Sequence, residues 1–170
     1  MKAESLATRN QNLNKLARYL IEFDKPDPWY VRTYNWLFNI IPPKFGMYDF
    51  YSKSTCLDSP TRLECGTVAC AVGHGPMAGI DFYKNESWES YSHRVFINID
   101  NRDWAWCFSG VWADYDDSAT SAGLRILYYL AYGTPDWYCG YHDDVQHQEE
   151  CLDNNFPTYL ANLERARLLA

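Results

Sequence analysis

No stretch of this chain is apolar for long enough to span a bilayer, so a membrane-spanning helix is not expected. Basic residues are also in short supply, 15 against 22 acidic for a formal net charge of −7. Such a surface repels phosphate backbones, which disfavours general nucleic-acid binding through counterion release. The acids gather at Asp114, Asp116, Asp117, Asp143, Asp144, Glu149 and Glu150. Solvated loops and helix starts account for most of them, and a basic protein partner or a nucleic-acid-mimicking face is the sharper alternative. Met1 to Arg9 holds neither an apolar stretch nor a lipidation motif, so the expected location is the cytoplasm. Six cysteines in a cytosolic chain read as reduced thiols rather than as a disulfide framework. Repeats, linkers and low-complexity tracts are missing as well, and 170 residues suffice for one self-supporting core. A single domain, 1–170, follows.

What the chain does contain is helical periodicity and aromatic side chains. Leu13, Leu16, Ala17, Leu20 and Ile21 form one apolar stripe on a helix from Asn10 to Phe23, ended by Pro26 and Pro28. Trp29 to Ile41 is aromatic with neither period clean and reads as a short buried helix, with a strand as the alternative. Phe45 to Tyr51 reads as an irregular segment that lays aromatics on the core. The small and apolar run Cys65 to Gly73 predicts a central helix, stopped by Gly73, Gly75 and Pro76. A helical turn at Trp88 and Tyr91 giving way to a strand at Arg94 to Ile99 would supply the only sheet. Trp104 to Trp112, Ser118 to Tyr132 and a terminal segment from Pro157 carry helical spacing, the second bounded by a Ser118 cap and by Gly133 and Pro135. The fold class is mainly α, with α+β left open by at most a small sheet.

The run Cys65-Gly66-Thr67-Val68-Ala69-Cys70-Ala71-Val72-Gly73-His74-Gly75-Pro76, with Ala78-Gly79-Ile80 after it, resembles a group of small phage and prophage proteins. Trp104 to Phe108, Trp112, Ser121 to Ile126 and Gly133-Thr134-Pro135 resemble later blocks of the same group, and the first helix fits its start. Gly46 stands where that group would carry an acid, and Trp137 to Phe156 matches none of it. The resemblance implies a phage accessory protein acting in the host cytoplasm, on host physiology or immunity, and implies no catalytic residue.

Three constellations carry chemistry. Cys65 ahead of a helix has the setting that lowers a thiol pKa, with His74, His93, His142 or His147 as candidate base and an Asp or Asn to orient it, but Cys-Gly-Thr lacks the aromatic neighbour of papain-type enzymes and free cysteine is usually buried. Cys139, His142, His147 and Cys151 are of zinc-compatible types without a C-x2-C knuckle, although His147 and Cys151 stand four apart on a helix. Cys65, Cys70 and His74 make a weaker set. The aromatic load is 7 Trp, 14 Tyr and 8 Phe, and Trp104, Trp106, Trp112, Tyr128 and Tyr129 lie near Arg102 and Arg125, a combination suited to a planar anionic ligand. Ordinary core packing is the plainer reading of the same residues. The favoured function is a binding protein without turnover or cofactor that captures a nucleotide-like ligand or a host protein. A cysteine hydrolase and a zinc-stapled interaction module are the alternatives, and self-association is left open.

Overall fold

The structure is a computed structural model that describes residues 4–38, 44–46, 68–69, 71–84, 86, 88–96, 101–140 and 145–170; for 44, 68–69, 88–89, 101 and 145–149 only the backbone is described. The elements in order are α1 (Leu6–Phe23), α2 (Trp29–Leu37), β1 (Lys44–Phe45), β2 (Val68–Ala69), α3 (Trp88–Val95), α4 (Asn101–Phe108), α5 (Trp112–Tyr115), α6 (Ala119–Tyr132) and α7 (Val145–Arg167). The fold is mainly α, as the periodicity predicts. Among the described residues no helix is long and apolar enough to cross a membrane.

α6 is the centre of the packing, lying chiefly on α1 and also against α7 and α4. Ser118 starts it with an extended backbone and an Oγ that accepts from Ser121 N at 3.1 Å. Gly133 ends it at φ +77°, a conformation glycine adopts without the Cβ penalty. Nearly all of its first ten residues are buried, because α1 covers one side with Leu13, Leu16, Ala17 and Leu20 while α4 and α7 cover the rest. Gly123 sets the closeness of α1 and α6: a Cβ there would lie 2.6 Å from the Ala17 carbonyl oxygen and 2.8 Å from Ile21 Cγ1.

Five boundaries differ from the sequence expectation. α1 starts at Leu6, since Ser5 accepts from Thr8 N at 3.2 Å and satisfies an end amide. Val68–Ala69 is not helical but pairs in parallel with Lys44–Phe45, Lys44 opposite Val68, and 71–79 continues as successive turns. Cys65, at the head of the predicted helix, lies outside the described residues. Arg94 and Val95 are helical, so α3 contains the start of the predicted strand. The Trp104–Trp112 pattern is two helices broken between Phe108 and Trp112. α7 runs through Pro157 rather than starting there; Pro157 and the residue four before it, Asp153, are both exposed, where water can reach a carbonyl left without its helical donor.

Candidate binding surface

The largest departure is α2. It is the expected helix, but it is not buried: none of its residues is, and only Val31 and Asn35 are half covered. Pro28 initiates it, with its carbonyl accepting from Val31 N at 2.9 Å and Arg32 N at 3.2 Å. The preceding Pro26–Asp27–Pro28 excludes a continuation of α1. The apolar side chains spread over more than half of the helix circumference, with Arg32 and Asn35 on the remaining arc, a wider band than one neighbour covers. Trp29 is 73% exposed, Trp36 79%, Leu37 64%, Phe38 62%, Tyr30 60% and Tyr34 55%.

Two flanks are distinguishable. Trp29, Arg32, Thr33 and Trp36, at i, i+3, i+4 and i+7, line a shallow recess of about 330 Å³. Thr33 Oγ1 donates to the Trp29 carbonyl at 2.9 Å. The other flank presents Tyr30, Tyr34, Leu37 and Phe38, with the Tyr34 and Phe38 rings 4.6 Å apart. This arrangement offers stacking faces, phenol hydroxyls and one guanidinium. The sequence signal for it was the aromatic run without a clean period between two proline stops.

The ligand set predicted from the sequence converges, but as packed interior. Trp106, Trp112 and Arg125 are fully buried and Tyr128 nearly so, while Trp104 and Tyr129 are half-buried against the same core. Trp106 meets Trp112 and Tyr138 edge-on, each at 5.3 Å, and Trp112 stacks on Tyr159 at 4.8 Å. The indole nitrogens donate inward, Trp106 to Arg125 O at 3.0 Å and Trp112 to Ala105 O at 3.1 Å. Arg102 is half-buried and holds backbone, donating to Tyr138 O at 2.9 Å and Pro135 O at 2.6 Å. Trp106 and Trp112 are thus enclosed by neighbouring rings.

Arg125 is the unusual member. Its Nη1 donates to the Tyr159 hydroxyl at 3.0 Å and its Cζ lies 4.6 Å from the Trp112 ring centre. Nε and Nη2 have no hydrogen-bond partner among the described residues. Burial raises the pKa of Tyr159, which the nearby Arg125 charge opposes.

His74 is fully buried, with Phe23 at 4.7 Å, Phe45 stacked at 5.7 Å and Tyr19 at 5.8 Å. Cys65 and Cys70 lie outside the described residues, as do His142 and the side chain of His147. The structure does bring Cys139 and Cys151 together. Both are half-buried; burial first, then the neighbouring Cys151, pushes the Cys139 thiol up to about 11. Cys151 Sγ also donates to Trp137 O at 3.2 Å. Among the described residues no three metal-ligating side chains converge.

Compared with protein-family models, with curated proteins and with solved structures, the chain matches none.

Proposed function

We propose that this is a non-catalytic binding protein that docks a partner protein through α2, in keeping with the host-directed accessory role that the phage-group resemblance implies. The observation that carries this is the exposure of six large apolar side chains on one nine-residue helix and its cap, Trp29, Tyr30, Tyr34, Trp36, Leu37 and Phe38. Trp and Tyr are the residue types that dominate interface energetics. At on the order of 100 Å² each, six such side chains supply most of the about 800 Å² per partner that a stable interface buries. The net charge of −7, with Asp24 and Asp27 exposed beside the start of α2, favours a partner whose apolar groove has a basic rim.

The test is a pair of variants, Trp29→Ala and Trp36→Ala, and their double. Partners captured by the wild-type chain and lost by the double are purified and titrated. Each single variant is expected to weaken the purified complex about 30-fold, the scale of a hot-spot tryptophan at about 2 kcal/mol, with an unchanged melting temperature. Affinity retained within about threefold in the double variant would remove α2 as the docking element. A wild-type dimer in light scattering that the double variant abolishes would make the partner a second copy.

A second reading rests on the recess of about 330 Å³ lined by Trp29, Arg32, Thr33 and Trp36, which suits a planar anion stacked on indole and paired with Arg32. Denaturing the purified protein and weighing what it releases tests this. A nucleotide carried by the wild type and lost in Arg32→Ala supports it; an empty protein that no nucleotide stabilises in thermal shift speaks against it.

A further inference from the structure

We infer that the Nε/Nη2 edge of Arg125 is an interior binding site for a small planar monoanion, of the class of formate or acetate, beside the Trp112 ring. The same chain shows what this edge of a guanidinium does when buried. Arg94, 4% exposed, uses its Nε and Nη2 to grip the two oxygens of Glu86, at 2.7 and 2.8 Å. Arg125 is buried further, at 0% exposed, and its Nη1 donates to the Tyr159 hydroxyl at 3.0 Å. Its Nε and Nη2 have no hydrogen-bond partner among the described residues, and among those residues it forms no ion pair. Two parallel N–H donors on one edge match the two oxygens of a carboxylate.

The surroundings select the class of ligand. A neutral phenol and the Trp112 ring, its centre 4.6 Å from Cζ, offset only part of the cost of burying a cation. Further orphan groups stand on the rings around Trp112: Tyr138 Oη and Trp137 Nε1 are buried without a hydrogen-bond partner among the described residues. Tyr138 stacks on Trp112 at 5.6 Å, and Trp137 meets Trp106 edge-on at 5.7 Å. All four orphan atoms can donate, so they suit an acceptor and not a metal ion. Water accepts from such groups but brings no charge, whereas a monoanion accepts and neutralises the guanidinium at once. The charge of Asp116 acts on Tyr159, the partner of Nη1, which opposes a second negative charge on the ligand. Entry is through 134–139, a non-helical segment between Gly133 at φ +77° and Gly140 at φ +80°. It carries Trp137 and Tyr138 and is held by Arg102, which donates to its Pro135 and Tyr138 carbonyls.

The test uses the full-length chain with sodium formate and sodium nitrate as probes, the ionic strength held with sodium fluoride. A ligand of three or four heavy atoms binds no tighter than about 0.1 mM. At ten times its dissociation constant, either probe is expected to raise the melting temperature by about 3–6 °C. Saturating the protein protons should also transfer to the formate proton in NMR. Arg125→Met should lose both responses, and Arg125→Lys, which keeps the charge without the paired donors, should weaken binding at least about tenfold. Arg32→Ala and Trp29→Ala/Trp36→Ala should respond as the wild type does, which separates this site from α2 and from the docking role proposed for it. Should the Arg125 variants fail to fold, the wild type and Arg32→Ala still decide. A wild type that responds to neither anion overturns the site. So does an equal response in folded Arg125→Met, which is a general salt effect, or loss of the response in Arg32→Ala, which moves the anion to the recess on α2.

Discussion

The Arg94 guanidinium grips the Glu86 carboxylate with two parallel bonds, Nε to Oε1 at 2.7 Å and Nη2 to Oε2 at 2.8 Å, with both side chains out of solvent. Three further groups finish the site. Arg94 Nη1 meets Glu4 Oε1 at 2.7 Å, Nη2 also donates to Asp81 O at 2.9 Å, and the guanidinium lies 4.0 Å from the Tyr83 ring centre. Around it, Arg9 and Asn12 of α1 donate to backbone carbonyls of His93, Arg94 and Val95 in α3. The buried charge pair thus ties α3 to the segment before it, while Arg9 and Asn12 fasten α3 to α1.

Removing one member should therefore cost more than any contact it loses. Glu86→Ala leaves Arg94 buried without its main counter-charge, and a loss of about 3–5 kcal/mol in urea unfolding is expected. Burial pushes the Glu86 pKa up, but its bonds to Arg94 and to Tyr83 N outweigh this and hold it below its ordinary value. With the folded pKa below the unfolded one, the stabilisation is present above the unfolded value and lost as pH falls through the folded one. The wild-type advantage over Glu86→Ala should shrink on acidification below about pH 4.5. An equal gap at pH 7 and at pH 3 would show that the carboxylate charge is not what Arg94 needs.

Gly123→Ala isolates the approach of α1 to α6. Alanine is the better helix former by about 1 kcal/mol, so an open site would gain stability. Here the new methyl would press on the Ala17 carbonyl oxygen at 2.6 Å, backbone that cannot rotate aside. A net loss of about 1–3 kcal/mol is expected in denaturant unfolding, with an unchanged m-value. A gain would mean that the two helices separate at little cost.

Where one residue set had one environment, the sequence was legible. The stripe Leu13–Leu20 and the bounded run Ser118–Gly133 are α1 and α6, because each buries one continuous surface and carries its own caps. Trp29–Leu37 was readable as a helix but not as an exposed one, since an apolar residue looks the same in sequence whether its cover is this chain or a partner. The burial of Trp106, Trp112 and Arg125 was not legible for a related reason: stacking geometry inside a core and around a ligand asks for the same residues. The Cys139–Cys151 contact depends on how α7 folds back, which spacing alone does not state.

Thiol reactivity should sort the described cysteines by environment. Burial pushes the Cys107 pKa far above its ordinary value, against the smaller opposing effect of Arg125, so at neutral pH it is almost wholly the unreactive thiol. In native alkylation followed by peptide mass spectrometry, Cys139 and Cys151 should label while Cys107 stays unlabelled until the chain unfolds. Raising the pH to about 9 should speed Cys139 and leave Cys107 protected, because its barrier is access as well as ionisation. Early labelling of Cys107 would show that the interface of α4 and α6 opens locally.

Arg125 and Tyr159 test whether the buried cation serves the fold or something else. Tyr159→Phe keeps the ring that stacks on Trp112 and removes the hydroxyl that accepts from Nη1, so the guanidinium loses its bond. A cost of about 1.5–3 kcal/mol is expected, the range for a bond to a charged group. Arg125→Met removes the charge and its two nitrogens without a described partner, and fills the space among Trp112, Cys107 and Tyr138 with a flexible apolar chain. Replacing a poorly compensated buried charge with apolar volume is often neutral or stabilising, so Arg125→Met should cost less than Tyr159→Phe. Adding Tyr159→Phe to Arg125→Met should then cost almost nothing more, since the bond is already gone. If Arg125→Met proves the costlier change, the Trp112 face and the Tyr159 hydroxyl repay desolvation and the arginine is structural. If it is as stable as the wild type yet loses the biological effect, the arginine is retained for binding, and the aromatic shell around it must open to reach a ligand.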